Sequence, residues 1–248
     1  MRLLETQGLT KRFGGLLANN RVDFHVEKGE MVGLIGPNGA GKTTFFNVLT
    51  GFYKPDAGRV LFKGQDVTGK PPEWLCAHGL TRTFQVVKTL KGMSVLENVM
   101  VGAFVHARST GEARRKAEEI LRFGGLYEKK DMLAGGLTIA DKKRLEMLRA
   151  LATEPDLLLL DEAMAGLNPS EVQEAVALVR RINAEGVTIV LVEHVMEVVM
   201  PLSQRVVVLA GGEKIAEGPP EAIAHDPVVI EAYLGEKYAR RRQALGEL

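Results

Sequence analysis

The length, composition and charge of the chain exclude several classes of protein. Its 248 residues are enough for one large α/β domain or two small ones. Of these residues 46% are apolar and 25% are charged, which is typical of a globular protein. The formal net charge of +1 gives no indication of a nucleic-acid partner or of an anionic membrane surface. The only cysteine, Cys76, excludes an intrachain disulfide and favours a reducing compartment.

Apolar runs in the sequence are short. None approaches the about 18 residues that a bilayer-spanning helix needs, and residues 1–6 lack the apolar core of a signal peptide. We therefore expect a chain without a transmembrane segment, so that a role at a membrane would require other chains to supply a channel.

The N-terminal part is predicted to form a β meander that leads into a buried strand. Strands are predicted at residues 3–10 and 22–26, and the uninterrupted apolar run 31–35 is typical of a strand covered on both faces. A further strand is predicted at residues 57–62, after a Pro-Asp turn.

The loop after the strand at 31–35 matches the pattern G-x-x-x-x-G-K-[ST], which binds nucleotide phosphates. Its glycines permit a tight turn and a close approach of backbone N–H groups to an anion. Lys42 can reach the β- and γ-phosphates, and the Thr43 hydroxyl can bind Mg²⁺. A helix is predicted to follow, with its N-terminus directed at the phosphates. The candidate phosphate-binding residues are Gly36, Pro37, Asn38, Gly39, Ala40, Gly41, Lys42, Thr43 and Thr44.

The middle of the chain largely loses the strand pattern. Helices are predicted at residues 96–104, 112–123 and 140–153, and the last of them has a periodic apolar face. We interpret this stretch as a helical insertion in an α/β domain. The predicted organisation is a nucleotide-binding α/β core of residues 1–85 and 155–235, a helical subdomain of residues 86–154 and a basic tail of residues 236–248.

A second candidate motif follows the helical stretch. The apolar run 157–160 is expected to be a central parallel strand, and it ends in Asp161 and Glu162. A carboxylate at the C-terminal edge of such a strand is expected beside the phosphate loop, where Asp161 can hold Mg²⁺ together with Thr43. Glu162 is then placed to polarise an attacking water, which hydrolysis requires.

With these two motifs the chain resembles the ATP-binding subunits of ABC transporters, over nearly its whole length. The resemblance implies an α/β fold with a P-loop NTPase (RecA-like) core, an N-terminal antiparallel β meander and an inserted helical subdomain. It also implies ATP and Mg²⁺ as cofactors, and ATP hydrolysis coupled to transport as the activity.

The resemblance assigns roles to three further residues. Phe13 matches the aromatic side chain that stacks on adenine, and Gln85 matches the glutamine that contacts the metal and the attacking water. His194 matches the histidine that contacts the γ-phosphate. Each also has a structural alternative, as a packed surface aromatic, a solvated strand end and a capping residue. The implied catalytic residues are Lys42, Gln85, Glu162 and His194, and the implied metal ligands are Thr43, Gln85 and Asp161.

Within the family the likeness is to importers of branched-chain and related hydrophobic amino acids. It is carried by residues 80–85, 165–169, 193–194, 212–218 and 231–235. ATPase subunits of lipid or lipopolysaccharide exporters share some of these sequence segments, so an export system stays an alternative.

The family's signature, Leu-Ser-Gly-Gly-Gln, is altered in this chain. The register of the following helix places it at residues 137–141, which read Leu-Thr-Ile-Ala-Asp. Thr138 keeps the hydroxyl that is expected to contact the ATP of an opposite subunit. Ile139 and Ala140 restrict the backbone where the family has glycines, and Asp141 adds a negative charge near a polyphosphate. We therefore expect one half of an asymmetric ATPase pair.

The resemblance also implies partners and a location. The partners are a second ATP-binding subunit of the same or a different kind, two transmembrane permease subunits and, indirectly, a solute-binding protein, with no nucleic acid. The location is the cytoplasmic face of the inner membrane, through the permeases. A soluble ABC protein acting on ribosomes or DNA would carry tandem ATPase units or a long coiled-coil insertion. The altered signature keeps a non-hydrolytic regulatory module as an alternative.

Overall fold

The computed structural model describes residues 1–85, 88–193 and 196–233. Its strands are β1 (Arg2–Phe13), β2 (Leu16–Glu27), β3 (Met31–Ile35), β4 (Ala57–Phe62), β5 (Gln65–Asp66), β6 (Leu80–Arg82), β7 (Leu157–Asp161), β8 (Thr188–Val192), β9 (Arg205–Ala210) and β10 (Glu213–Gly218). Its helices are α1 (Lys42–Leu49), α2 (Pro72–Ala77), α3 (Val95–Ala103), α4 (Thr110–Phe123), α5 (Ile139–Leu151), α6 (Pro169–Ala184), α7 (Met196–Leu202) and α8 (Pro220–Ala224). This mixture of antiparallel strands, parallel strands and helices confirms the predicted α/β class.

The chain divides into two compact units. The first comprises residues 1–70 together with the described residues from 190 onward, and the second comprises residues 71–189. The division falls inside β8, whose five residues are all buried. The predicted helical subdomain of residues 86–154 lies wholly within the second unit, and its limits stay a prediction.

The first unit is built from β-structure around the strand that leads to the phosphate loop. Its antiparallel sheet has the order β2-β1-β4-β5. β1 and β2 form a hairpin with Phe13 opposite Leu16, so both strands extend beyond the predicted ranges. Apolar periodicity missed their outer ends because most of those residues are partly or largely exposed, and the buried one, Asn19, is polar. β3 pairs in parallel with β9 and is buried at all five positions.

The second unit combines the parallel pair β6 and β7 with helices that have strong start signals. α3 begins at a capping box formed by Ser94 and Glu97, and α6 begins at another formed by Asn168 and Glu171. The helices predicted at residues 96–104, 112–123 and 140–153 lie within two residues of the observed α3, α4 and α5. Among the described residues no helix is both long and apolar enough to cross a membrane.

One glycine of α3 permits a close helix contact in the second unit. A Cβ atom added to Gly102 would lie 2.1 Å from the carbonyl oxygen of Arg149 in α5. Such a distance is far below van der Waals contact, so any larger residue would force the two helices apart.

We expect Gly102→Ala to destabilise the protein by about 1–3 kcal/mol, because the added methyl overpacks the contact between α3 and α5. Gly111→Ala in α4 is the matched control. Its methyl would meet only the end of the Arg115 side chain, at 3.8 Å, and helix propensity favours alanine there by up to about 1 kcal/mol. Urea unfolding compares the two variants, and equal stability of both would contradict the expectation.

Candidate functional site

The phosphate loop connects β3 to α1 in the first unit. Gly36 and Gly41 both lie in the region of positive φ, at 148° and 98°, and Gly41 is the N-cap of α1. Because a glycine N-cap has no side chain, no capping side chain covers the N-terminus of α1. The N–H groups of the first turn, together with the helix dipole, make this end of α1 favourable for an anion.

Backbone atoms of neighbouring strands lie so close to the loop that two of its positions require glycine. A Cβ on Gly36 would lie 2.0 Å from the Leu209 carbonyl oxygen in β9, and a Cβ on Gly41 would lie 2.2 Å from that of Ala18 in β2. The buried Asn19 side chain donates an amide hydrogen to the Gly41 carbonyl at 3.2 Å. The result is a rigid cradle lined by bare backbone.

Lys42 supplies the positive charge of this cradle. Only 6% of the residue is exposed, and its ammonium donates to the carbonyl oxygens of Gly36 at 2.6 Å and Pro37 at 3.0 Å. Thr43, the next residue of α1, is exposed. Bare backbone, a helix N-terminus and an ammonium form the donor set that a polyphosphate needs, so these residues fit a nucleotide.

Phe13 lies at the end of β1 in the same unit, with 41% of the residue exposed. Its ring makes an edge-to-face contact with Tyr53 at a centroid distance of 5.2 Å, and the Lys11 ammonium lies 5.4 Å from its centroid. This partial burial keeps the ring in place while leaving part of its surface accessible. Sequence reasoning did not identify Tyr53 as its neighbour.

The two predicted carboxylates follow each other at the C-terminal end of β7, in the second unit. Asp161 is 1% exposed, and its Oδ2 accepts a hydrogen bond from Arg82 Nη2 at 2.7 Å. Its backbone N–H donates to the Thr83 hydroxyl at 3.2 Å. Asp161 is therefore a fixed negative charge whose orientation is set by residues at the end of β6.

The structure brings the predicted residues Glu162 and Gln85 together. Gln85 Nε2 donates to Glu162 Oε2 at 3.0 Å. The Glu162 backbone has a φ of 49°, which is uncommon for a residue with a side chain. Its carbonyl oxygen accepts a hydrogen bond from Lys143 Nζ at 2.8 Å. A carboxylate and an amide side by side can orient a water molecule and accept its proton.

Burial perturbs the ionisation of the groups around Asp161. It lowers the pKa of the Arg82 guanidinium, against the opposing attraction of the Asp161 carboxylate. Burial also raises the pKa of Glu146, against a hydrogen bond that this carboxyl accepts from the Phe84 backbone N–H. The charges in this part of the second unit are thus held in a poorly solvated environment.

The altered signature, residues 137–141, forms the start of α5. Thr138 is the N-cap, and its hydroxyl accepts a hydrogen bond from the Asp141 backbone N–H at 3.1 Å. The Asp141 carboxylate pairs with the Lys129 ammonium, and the Ile139 side chain is exposed. The negative charge of Asp141 is therefore paired with a residue of the same unit.

The predicted histidine, His194, lies outside the described residues, as do residues 86–87, 195 and 234–248. Sequence reasoning missed Arg82, Lys143 and Lys129 as neighbours of the predicted site residues. Arg82 was visible only as part of the stretch 80–85, and its partner lies 79 positions away. No local pattern in the sequence reports contacts of that range.

The fold and the cradle define a class of protein. A glycine-rich loop between a buried strand and a helix, with a lysine that opens the helix, is the site of P-loop nucleotide-binding proteins. Adjacent carboxylates at the end of an apolar strand are the second feature that such NTPases share.

Comparison with known proteins identifies the family. The family model described as ABC transporter matches residues 19–165, and the one described as branched-chain amino acid ATP-binding cassette transporter matches residues 213–239. The chain is 43% identical to the high-affinity branched-chain amino acid transport ATP-binding protein LivG of Escherichia coli and 42% identical to BraF of Pseudomonas aeruginosa. Both alignments cover 94% of this chain and 98% of the relative.

A solved structure with the same fold is the ADP conformation of MJ1267, described as an ATP-binding cassette of an ABC transporter. It superposes with a TM-score of 0.87 and 36% identity, over 95% of this chain and 99% of that one. The chain belongs to the ATP-binding subunits of ABC transporters, in the group that includes LivG and BraF. It is therefore an ATPase that binds nucleotide.

We expect Arg82→Met to destabilise the protein by about 3–5 kcal/mol, because it removes the positive charge beside the buried Asp161 carboxylate. Adding Asp161→Asn to this variant is expected to restore most of the loss, since the neutral amide costs less to bury. Thermal unfolding of the two single variants and the double variant gives the coupling between the residues. Strictly additive losses would contradict a direct interaction.

Proposed function

We propose that this chain hydrolyses ATP to drive the import of branched-chain or other hydrophobic amino acids. The observation that carries the proposal is 42–43% identity over 94% of the chain to LivG and BraF, whose names state high-affinity branched-chain amino acid transport. The match at residues 213–239 to the corresponding family model supports the same substrate class.

The proposed assembly contains a second ATP-binding subunit and two transmembrane permease subunits, with a solute-binding protein acting through them. A solved cassette dimer, that of MJ0796, is 26% identical to this chain and supports the pairing of two such subunits. The chain is held at the cytoplasmic face of the inner membrane by the permeases.

In this proposal the first unit binds the nucleotide. Phe13 stacks on the adenine, the loop N–H groups and Lys42 hold the β- and γ-phosphates, and Thr43 is a ligand of Mg²⁺. When bound, Mg²⁺ neutralises charge that builds up on the phosphate oxygens. Asp161 and Gln85 are proposed as metal ligands, as the resemblance implies, and the fixed orientation of Asp161 suits this role.

Glu162 and Gln85 act on the attacking water in the same proposal. The Glu162 carboxylate accepts the proton that water loses, and the Gln85 amide, 3.0 Å from that carboxylate, orients the water. His194 contacts the γ-phosphate, as the resemblance implies. Their contributions are orientation and charge stabilisation, which dominate phosphoryl transfer.

We expect Glu162→Gln to lower steady-state ATP turnover by about 10²–10⁴-fold, because the amide cannot accept the water's proton. Glu185→Gln is the matched control, since Glu185 is an exposed carboxylate at the C-cap of α6. Turnover of the purified chain is measured against protein concentration, with nucleotide affinity measured in parallel.

The outcomes of this experiment separate the candidate functions. Turnover that is lost in Glu162→Gln but kept in Glu185→Gln supports hydrolysis by this chain. Nucleotide binding without turnover, also in the presence of the second ATPase subunit, would instead support a regulatory module. Uptake of labelled leucine into vesicles that contain the permeases tests the substrate, and lipid transfer without leucine uptake would contradict import.

We further propose that the chain forms one half of an asymmetric ATPase pair. Residues 137–141 keep a hydroxyl at Thr138, but that hydroxyl caps α5 by accepting the Asp141 N–H. Ile139 is 63% exposed at the helix start, where a bare backbone would admit a phosphate more closely. The site that this segment caps on the partner subunit is therefore the weaker of the two.

We expect Ala140→Gly combined with Asp141→Gln to raise the ATP turnover of the pair, because it restores backbone freedom and removes a negative charge at the α5 N-terminus. Lys129→Met should act in the opposite direction, since it removes the ammonium that pairs with Asp141. Both variants are mixed with the cognate second ATPase, and turnover and dimer affinity are measured. If the first variant raises neither quantity, the asymmetry is contradicted.

A further inference from the structure

A buried lysine of the second unit has a contact that none of the proposed roles uses. Lys143 lies on α5 and is buried, and its ammonium donates to the backbone carbonyl oxygen of Glu162 at 2.8 Å. Burying an ammonium is costly unless strong hydrogen bonds hold it. The hydrogen bond to the Glu162 carbonyl therefore stabilises the buried ammonium and restrains the carbonyl at the same time.

The peptide that Lys143 contacts is strained. Glu162 has a φ of 49°, in the left-handed region, which is unfavourable for a residue with a side chain. The same carbonyl oxygen also accepts the Ala165 backbone N–H at 3.2 Å. Two donors therefore converge on one oxygen, one from the turn that follows β7 and one from α5. Such a conformation persists only where its surroundings over-determine it.

The backbone conformation of Glu162 decides where its carboxylate lies. Gln85 is 3.0 Å from that carboxylate, and a rotation about φ would carry the carboxylate away from it. The carbonyl and the side chain of Glu162 turn together in a rotation about φ. A restraint on the Glu162 carbonyl therefore also restrains its carboxylate. We propose that Lys143 is a positioning residue for ATP hydrolysis, which fixes the Glu162 peptide and thereby the carboxylate. This inference rests on the proposed role of Glu162 as the base.

The position of Lys143 on α5 gives the contact a second consequence. α5 begins at Ile139, four residues or about 6 Å along the helix axis before Lys143. The start of that helix is the segment proposed to cap the nucleotide of the opposite subunit. Lys143 therefore lies about one helical turn from the segment proposed to cap the opposite nucleotide, and the same helix carries both.

Three variants of the full chain test this inference, each mixed with the second ATPase subunit. We expect Lys143→Met, which keeps the apolar stem and loses the donor, to lower kcat by about 10- to 100-fold, as misplacement of a catalytic group does. Nucleotide affinity and KM stay within about twofold, since the phosphate loop is unchanged. Lys143→Arg keeps a donor and is expected to recover most of kcat. Lys142→Met is the matched control on the same helix and leaves kcat unchanged.

To distinguish the positioning role of Lys143 from a merely structural one, Lys143→Met is also made in the Glu162→Gln variant. If Lys143 acts through the Glu162 carboxylate, Lys143→Met has no further effect on the residual turnover of that variant. An equal loss of kcat in both backgrounds, or an unchanged kcat in Lys143→Met, would overturn the inference. Should Lys143→Met fail to fold, Lys143→Gln carries the same expectation, because its amide is too short to reach. Full turnover in Glu162→Gln alone would instead contradict the proposed function.

Discussion

The phosphate loop depends on a constraint of space that the surrounding strands impose. The Gly36 and Gly41 backbones lie so close to the carbonyls of Leu209 and Ala18 that the loop has room for no Cβ atom at either position. The loop therefore acquires its shape only when β2 and β9 are in place. This arrangement has an energetic cost at Asn19. Its side-chain amide donates a hydrogen bond to the Gly41 carbonyl, while its buried Oδ1 has no hydrogen-bond partner among the described residues. A site that must bind an anion with its backbone has to be made rigid by its neighbours, and local stability is given up for that purpose.

A different constraint, the burial of charge, organises the end of β7. Asp161 is buried, and it forms an ion pair with Arg82 at the end of β6. The guanidinium is held in turn by the Thr83 carbonyl at 3.1 Å and lies over the Phe84 ring. In a poorly solvated environment each of these contacts counts for more than it would at the surface. The residues between β6 and Gln85 thus form a continuous support, which explains why the stretch that follows a short strand carries so much of the site.

The sequence predicted the parts of the structure that local patterns encode. The phosphate loop was predicted because one segment carries all its requirements, from the apolar strand through the glycines to Lys42. The helices of the second unit were predicted from their apolar pattern, and the structure adds capping side chains at their starts, such as Ser94. The ends of β1 and β2 were missed, since exposed strand residues leave no apolar pattern. The contacts of Arg82 and Lys143 were also missed, because they join residues 79 and 19 positions apart and depend on how strand ends and helices pack.

The altered signature and the residue that contacts Glu162 occupy different parts of α5. The departures from the family pattern are confined to the start of the helix, where Asp141 is paired with Lys129. Lys143 lies beyond the first turn and is buried, so its contact with the Glu162 carbonyl does not require the signature glycines. The substitutions in the first turn thus leave the contact between Lys143 and the Glu162 carbonyl in place. The proposed asymmetric pair is consistent with this arrangement, because a weaker cap for a partner nucleotide does not remove the restraint on Glu162.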